Sequence, residues 1–202
     1  MESSIRAPLV GTLVIALLSG AACAVPPAEE WDIKAVRREG EVIVDAIMYA
    51  PVAPREAWAV LTDFERMAEF VPNLQSSQVL SKPGEHLVRI AQKGAGRLGP
   101  FSFPFESVRE LELVPYEIMK AENISGNMRK MQSTTRLIPE GTGTRLEYHL
   151  EVKPNYWVPP LIGPAFIRAG VRDQFRAIVG EMARRQGVAA PKPVEQLKPV
   201  EQ

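Results

Sequence analysis

A single cysteine, Cys23, and two histidines, His86 and His149, are all that this chain offers toward thiol or imidazole chemistry. One thiol cannot close a disulfide within the chain, and neither histidine stands at a spacing that shares a metal ion with other ligands. The Gly-x-Ser-x-Gly turn that exposes a nucleophilic serine is missing as well. So is charge of one sign: 24 Lys plus Arg balance 24 Asp plus Glu, for a formal net charge of zero. No general field draws such a chain to nucleic acid, and contact with an anionic surface has to be local. The apolar run from Ala7 to Leu18 falls short of the ~20 residues that cross a bilayer, and Ser19 and Gly20 follow it. What is present, 46% hydrophobic and 24% charged residues over 202 positions, suits one globular domain with two tails.

The N-terminus carries the clearest local pattern: Arg6, the apolar run, then small residues. It reads as a secretory signal peptide over residues 1–24, cleaved after Ala24, because Ala22-Cys23-Ala24 places small side chains where the peptidase requires them. The mature chain then starts at Val25 without a thiol and is periplasmic or secreted. The alternative is a lipoprotein anchored at Cys23, although Gly20 stands where an aliphatic residue is usual. Residues 25–30 read as a linker, 31–187 as the domain, and 188–202 as a disordered Pro/Glu/Lys tail in which Pro193-Val194-Glu195-Gln196 recurs as Pro199-Val200-Glu201-Gln202.

Within the domain, Glu41 to Tyr49 is short and rich in β-branched residues, which predicts a strand. Pro54 suits a first helical turn, with Ala57, Trp58 and Leu61 on one face, and a second short helix is expected from Glu65 to Phe70 before Pro72. Strands are then expected at Gln78–Leu80, Leu87–Lys93, Phe101–Leu113, Glu117–Ile124, Arg129–Ile138 and Thr144–Lys153, separated by turn-favouring residues. From Pro164 to Arg185, Ile167, Val171, Phe175, Ile178 and Met182 recur at helical spacing, and Gly187 ends the helix. The expectation is an α+β domain, an antiparallel sheet of about seven strands closed by one long helix, with space between them for a cavity.

That order resembles the START-like, SRPBCC superfamily with its helix-grip fold (β-α-α-β6-α), and within it the polyketide cyclase and coenzyme Q-binding branch. The resemblance rests on Ala53-Pro54 with Trp58, Thr62-Asp63-Phe64 followed by Phe70-Val71-Pro72-Asn73, Pro139 through Gly143-Thr144, and Pro154 and Pro159 before the last helix. It implies an apolar pocket between sheet and C-terminal helix, used in different members for lipids, quinones, sterols or polyketides. On that basis the chain is expected to be a carrier or binding protein for a hydrophobic small molecule such as a lipid, isoprenoid quinone or sterol-like compound. It is expected to act as a monomer without nucleic acid or cofactor and with transient membrane contact. A cyclase or dehydratase acting on a polyketide-like substrate, or an interaction module, is the alternative. No catalytic set is recognisable.

Candidate pocket residues follow from that arrangement. Trp58, Leu61 and Phe70 come from the short helices; Phe101, Phe103, Phe105 and Arg109 share one strand face, which is either core or pocket wall. Met119, Met131 and Tyr148 come from later strands, and Phe166, Val171 and Phe175 from the long helix. The apolar, proline-stiffened stretch from Tyr156 to Phe166 adds Trp157 and Ile162 to the pocket candidates and offers Trp157, Leu161 and Ile162 as a gate or membrane-touching lid, or as a buried connector. Arg168, Arg172 and Arg176 form a basic stripe beside the apolar face of the long helix, either solvated surface or a site of attraction to lipid phosphates. Asp45 and Tyr116 are further polar groups on candidate strands. His149 is expected to point outward. Gly94-Ala95-Gly96-Arg97-Leu98-Gly99 matches a dinucleotide fingerprint, yet Pro100 to Phe105 reads as strand where that fingerprint needs a helix, so a hairpin loop at the pocket rim is expected instead. Asn123-Ile124-Ser125 spells a glycosylation sequon at a strand end.

Overall fold

A computed structural model of the protein describes residues 31–84, 86–98, 101–155 and 163–190. Its first element is absent from the sequence-based expectation. β1 (Asp32–Arg38) and β2 (Glu41–Ala50) form a hairpin around Glu39 and Gly40, both at positive φ (50° and 83°). Two successive left-handed residues match the twist of paired strands, and glycine adopts that conformation without steric cost. β1 brings the sheet to eight strands, against about seven expected. As an edge strand it buries Ile33 while Lys34, Arg37 and Arg38 stay outside the core, so its charge hides it among surface segments.

β2 shows the pattern that a half-buried strand requires. Val42, Val44, Ala46, Met48 and Ala50 are buried, while the residues between them face outward. Helix α1 (Pro54–Leu61) starts with Pro54 in its first turn and buries Ala57, Trp58, Val60 and Leu61. The Thr62 hydroxyl donates to the Trp58 carbonyl at 2.8 Å and closes its end. The second helix divides into a 3-10 turn, Phe64–Arg66, and α2 (Met67–Phe70).

The remaining strands form an antiparallel meander: β3 (Leu74–Gly84), β4 (Leu87–Leu98), β5 (Phe101–Val114), β6 (Ile118–Gly126), β7 (Met128–Glu140) and β8 (Gly143–Pro154). β8 turns back to pair with β2, giving the order β1-β2-β8-β7-β6-β5-β4-β3 in one curved sheet. β2 and β3 therefore lie far apart across the sheet, and the segment holding α1 and α2 has to bridge that distance.

Helix α3 (Gly163–Gln186) buries Val171, Phe175, Ile178, Val179, Met182 and Ala183. Its end is a left-handed cap: Gly187 (φ 65°) donates to the Arg184 carbonyl and Val188 to that of Ala183. The backbone of α3 lies close to β1, β2, α1 and α2. Toward β5 and β8 it meets the sheet through side chains. Among the described residues no helix is long and apolar enough to cross a membrane.

Candidate functional site

Strand parity decides what faces α3. On β5 the residues in step with buried Ser107 and Leu111 are Phe103, Phe105 and Arg109. Arg109 is paired in register with Ile90 on β4 and Asn123 on β6. On β7, Ser133 lies between Ala121 of β6 and Leu150 of β8, both buried. On β8, Tyr148 alternates with buried Leu146 and Leu150. Four neighbouring strands thus bring Arg109, Asn123, Ser133 and Tyr148 to one concave face, with buried Gln92, Ser107 and Thr135 beside them and apolar residues over the rest.

Arg109 and Tyr148 are half-buried on this face. The Arg109 Nε is buried with no hydrogen-bond partner among the described residues. Loss of water lowers the guanidinium pKa from its ordinary value, with Tyr148 acting in the opposite sense. Burial likewise raises the Tyr148 pKa, opposed by Arg109 and by a hydrogen bond with Ser133. Asn123 donates through Nδ2 to the Met128 carbonyl at 3.3 Å, while its Oδ1 is buried and unpartnered among the described residues. An amide held this way is a poor acceptor for a glycan. A buried guanidinium with free donor capacity can receive a carboxylate or stabilise an enolate oxygen.

Aromatic rings frame the side of the site nearest the start of α3. Phe103 and Phe166 meet at 5.5 Å between ring centres, tilted by 55°. Phe166 lies over Gly96, where an added Cβ would sit 2.6 Å from its Cζ. Gly94 is tighter still: a Cβ would sit 2.1 Å from the Asn73 carbonyl oxygen, which accepts the Ala95 N–H at 2.9 Å. The glycines of the Gly-x-Gly pattern thus serve close approach. Gly94 to Leu98 are strand, paired with Phe101 to Phe105, which corrects the expected rim loop over those residues. The strand that follows leaves no helix N-terminus to seat a pyrophosphate.

Across the molecule, α3 is fastened. Arg185 Nη2 reaches Asp63 Oδ2 at 2.6 Å and its Nε reaches Glu181 Oε1 at 2.8 Å, while Arg184 Nε holds Glu181 Oε2 at 2.6 Å. Glu181 is 8% exposed, and Arg184, then Arg185, hold its pKa down at about 2. The Arg185 guanidinium also lies 5.8 Å from the Phe70 ring centre. Asp63 and Phe70, two residues that carried the resemblance, therefore anchor the closing helix.

The other candidates are distributed between the two ends. Trp58 is buried against the edge of Tyr116, whose φ of 67° places it in the β5–β6 turn instead of a strand. Leu61, Met119 and Val171 are core, Phe175 packs on Tyr148 at 4.9 Å, and Met131 is half-buried. Arg168 is exposed, Arg172 half-buried, and Arg176 pairs with Asp173 at 3.5 Å. Trp157, Leu161, Ile162 and the Phe101 side chain lie outside the described residues, as do the N-terminal segment and the C-terminal tail beyond residue 190. His149 is on the convex face with Asp45 and Glu151. Two open depressions, of about 390 and 340 Å³, also lie on that face, lined by charged and polar groups such as Glu110, Glu112, Lys120 and Arg136. Among the described residues no three His, Cys, Asp or Glu side chains converge on a metal position.

Asn123 and Ser133 escape sequence reading because their place beside Arg109 depends on register. Between the Val108–Ser125 and Arg109–Asn123 pairs the register skips Ile124 of β6, so alternation counted along β6 misplaces Ser125 and Gly126. The family described as polyketide cyclase / dehydrase and lipid transport matches residues 50–179. No curated protein matches the sequence. Among solved structures, TTHA0849 from Thermus thermophilus is 16% identical with a TM-score of 0.62, over 71% of this chain and 98% of that one. The Zhui aromatase/cyclase from a Streptomyces species is 14% identical with a TM-score of 0.61, over 74% and 99%. Human StAR-related lipid transfer protein 5 is 10% identical with a TM-score of 0.62, over 76% and 88%. Identities this low carry the fold alone, and the family match carries membership: the chain belongs to the polyketide cyclase / dehydrase and lipid transport family.

Proposed function

We propose that this chain is an exported binding or carrier protein that holds a hydrophobic small molecule between its sheet and α3. The observation that carries the reading is the concave face opposite α3: Phe103, Phe105 and Met131 turn toward α3 and Phe166 of α3 meets Phe103, yet all four stay half-buried. Aromatic and methionine side chains suit such a wall, since they offer large contact area and adapt to irregular shapes. Burying a hydrocarbon chain there contributes about 0.8 kcal/mol per CH₂, enough for firm binding without bond chemistry. Similarity to a lipid transfer protein and to an aromatase/cyclase supports a hydrophobic guest. Arg6, the apolar run and Ala22-Cys23-Ala24 support export, with a single copy of the chain as the carrier.

The polar set of Arg109, Ser133 and Tyr148 favours a second reading, a cyclase or dehydratase in which these groups steady an enolate. One experiment separates the two. Native mass spectrometry of protein purified from its own host, followed by lipid extraction, should reveal a co-purifying hydrophobic molecule for a carrier. Protein that arrives empty and turns over a polyketide-like compound would establish the enzyme instead.

A further inference from the structure

We propose that the guest carries one carboxylate, seated on Arg109, with its apolar tail running along β5 toward Phe103 and Phe166. This rests on the carrier reading and adds the class of ligand to it.

Charge distribution on β5 is the first argument. Glu106 pairs with Lys93 at 3.2 Å, Glu110 with Arg89 at 2.7 Å and Glu112 with Lys120 at 3.1 Å, all on the outward face. Arg109 is the one charge of this strand that faces inward, and no carboxylate meets it among the described residues. Residues 156–162, the stretch leading into α3, contain no acidic residue. An ionised guanidinium whose Nε is buried without a partner or a counter-charge among the described residues is costly, and an anionic guest offsets that cost. Its fork matches a carboxylate edge.

The neighbours favour a single negative charge. Tyr148 and Ser133 contribute hydroxyls, and the register partners of Arg109, Ile90 and Asn123, carry no charge. A phosphate monoester would bring an additional negative charge into apolar surroundings, while an alcohol or ester would leave the guanidinium unneutralised. Direction follows from burial. Beyond Arg109, Leu111 is 1% exposed and closes that end, whereas Phe105 and Phe103 remain half-buried. Arg109 to Phe103 spans about 20 Å at strand rise, long enough to lay out an extended acyl chain.

The test uses the full-length protein with palmitate, methyl palmitate and hexadecyl phosphate, each measured by calorimetric titration. Palmitate is expected to bind about tenfold or more tightly than its methyl ester, as a charge-assisted pair adds to the shared tail. In Arg109→Met the acid and ester should bind alike, and thermal unfolding should occur at or above the wild-type temperature because an unpaired charge has been removed. Arg109→Lys, which keeps charge without the fork, should retain part of the preference and serves if the methionine variant does not fold. Equal affinity for acid and ester in the wild type overturns the carboxylate assignment and leaves the carrier reading intact. Tighter binding of hexadecyl phosphate overturns the single-charge argument. Failure of all three to bind overturns the carrier reading along with it.

Discussion

The two ends of α3 meet the rest of the molecule differently. At the C-terminal end Ile178, Val179 and Met182 are 1%, 1% and 0% exposed, and Arg185 ties the helix to Asp63 at the end of α1. Near the N-terminal end Phe166 and Ile167 are half-buried, Arg168 to Gly170 are exposed, and contact with the sheet passes through an aromatic ring set over glycine. One end has hydrocarbon interlocked with hydrocarbon plus charges in fixed pairs, and the other has half-buried rings and exposed neighbours. The proposed binding of a guest needs that asymmetry. A uniformly packed helix would leave no space for a guest, and a uniformly loose one would not fold, because the net stability of a domain is only several kcal/mol.

The comparison breaks most visibly under truncation. Met182→Ala removes a fully buried side chain from the fastened end and should cost about 3 kcal/mol in denaturant unfolding, through lost burial and the cavity left behind. Phe166→Ala removes a larger side chain and should cost about 1 kcal/mol, since the ring is only half-buried, while weakening hydrophobic-ligand binding severalfold. Similar losses from the two variants would mean that the ends are packed alike.

Acid sharpens the same contrast through Glu181. Its carboxyl is held at about 2, below the ordinary value of 4.5, by Arg184 and then Arg185. A depressed pKa contributes stability that is present above 4.5 and is lost as pH falls from there toward 2. Because the arginines reach solvent, on the order of 1–2 kcal/mol is at stake. Denaturant unfolding at pH 7 and pH 3 should show Glu181→Gln less stable than wild type at pH 7, with the gap narrowing at pH 3. A gap of the same size at both values would remove the clamp from the account of the fastened end.

That fastened end is easier to anticipate than the site. The spacing of Ile167, Val171, Phe175, Ile178 and Met182 names the buried stripe of α3 directly, since helix periodicity is local and each of these residues packs inward. The meander is legible for a similar reason, through its turn residues. β1 is not, because a charged edge strand resembles surface. The isolation of Arg109 is legible only in part. Its parity with Phe103 and Phe105 places it on the inner face, but the lack of a partner depends on which residues of β4, β6 and β8 lie alongside. Register comes from the whole sheet, and the residue skipped opposite Val108 leaves Ser125 exposed although alternation with Met119, Ala121 and Asn123 would turn it inward.

The smallest effect is expected outside both ends, on the convex face. There His149 Nδ1 lies 2.7 Å from Asp45 Oδ1 and Nε2 lies 3.2 Å from Glu151 Oε1, while Lys130 shares Glu151 and also reaches Glu41 at 3.0 Å. The hydrogen bond to Asp45 leads in raising the His149 pKa above 6.5. A raised pKa contributes stability that is complete below 6.5 and is lost as pH climbs through the folded value. The side chain is 43% exposed, so solvent screening limits the effect to about a few tenths of a kcal/mol. Urea unfolding at pH 5.5 and pH 8.5 should show a wild type slightly more stable at the lower value relative to His149→Gln, with ligand affinity the same in both proteins. Arg109 is the counterpart, an inward charge whose neutraliser the described residues do not supply. If His149→Gln altered ligand binding as much as Arg109→Met, the assignment of binding to the concave face and of solvated charge pairing to the convex face would have to be given up.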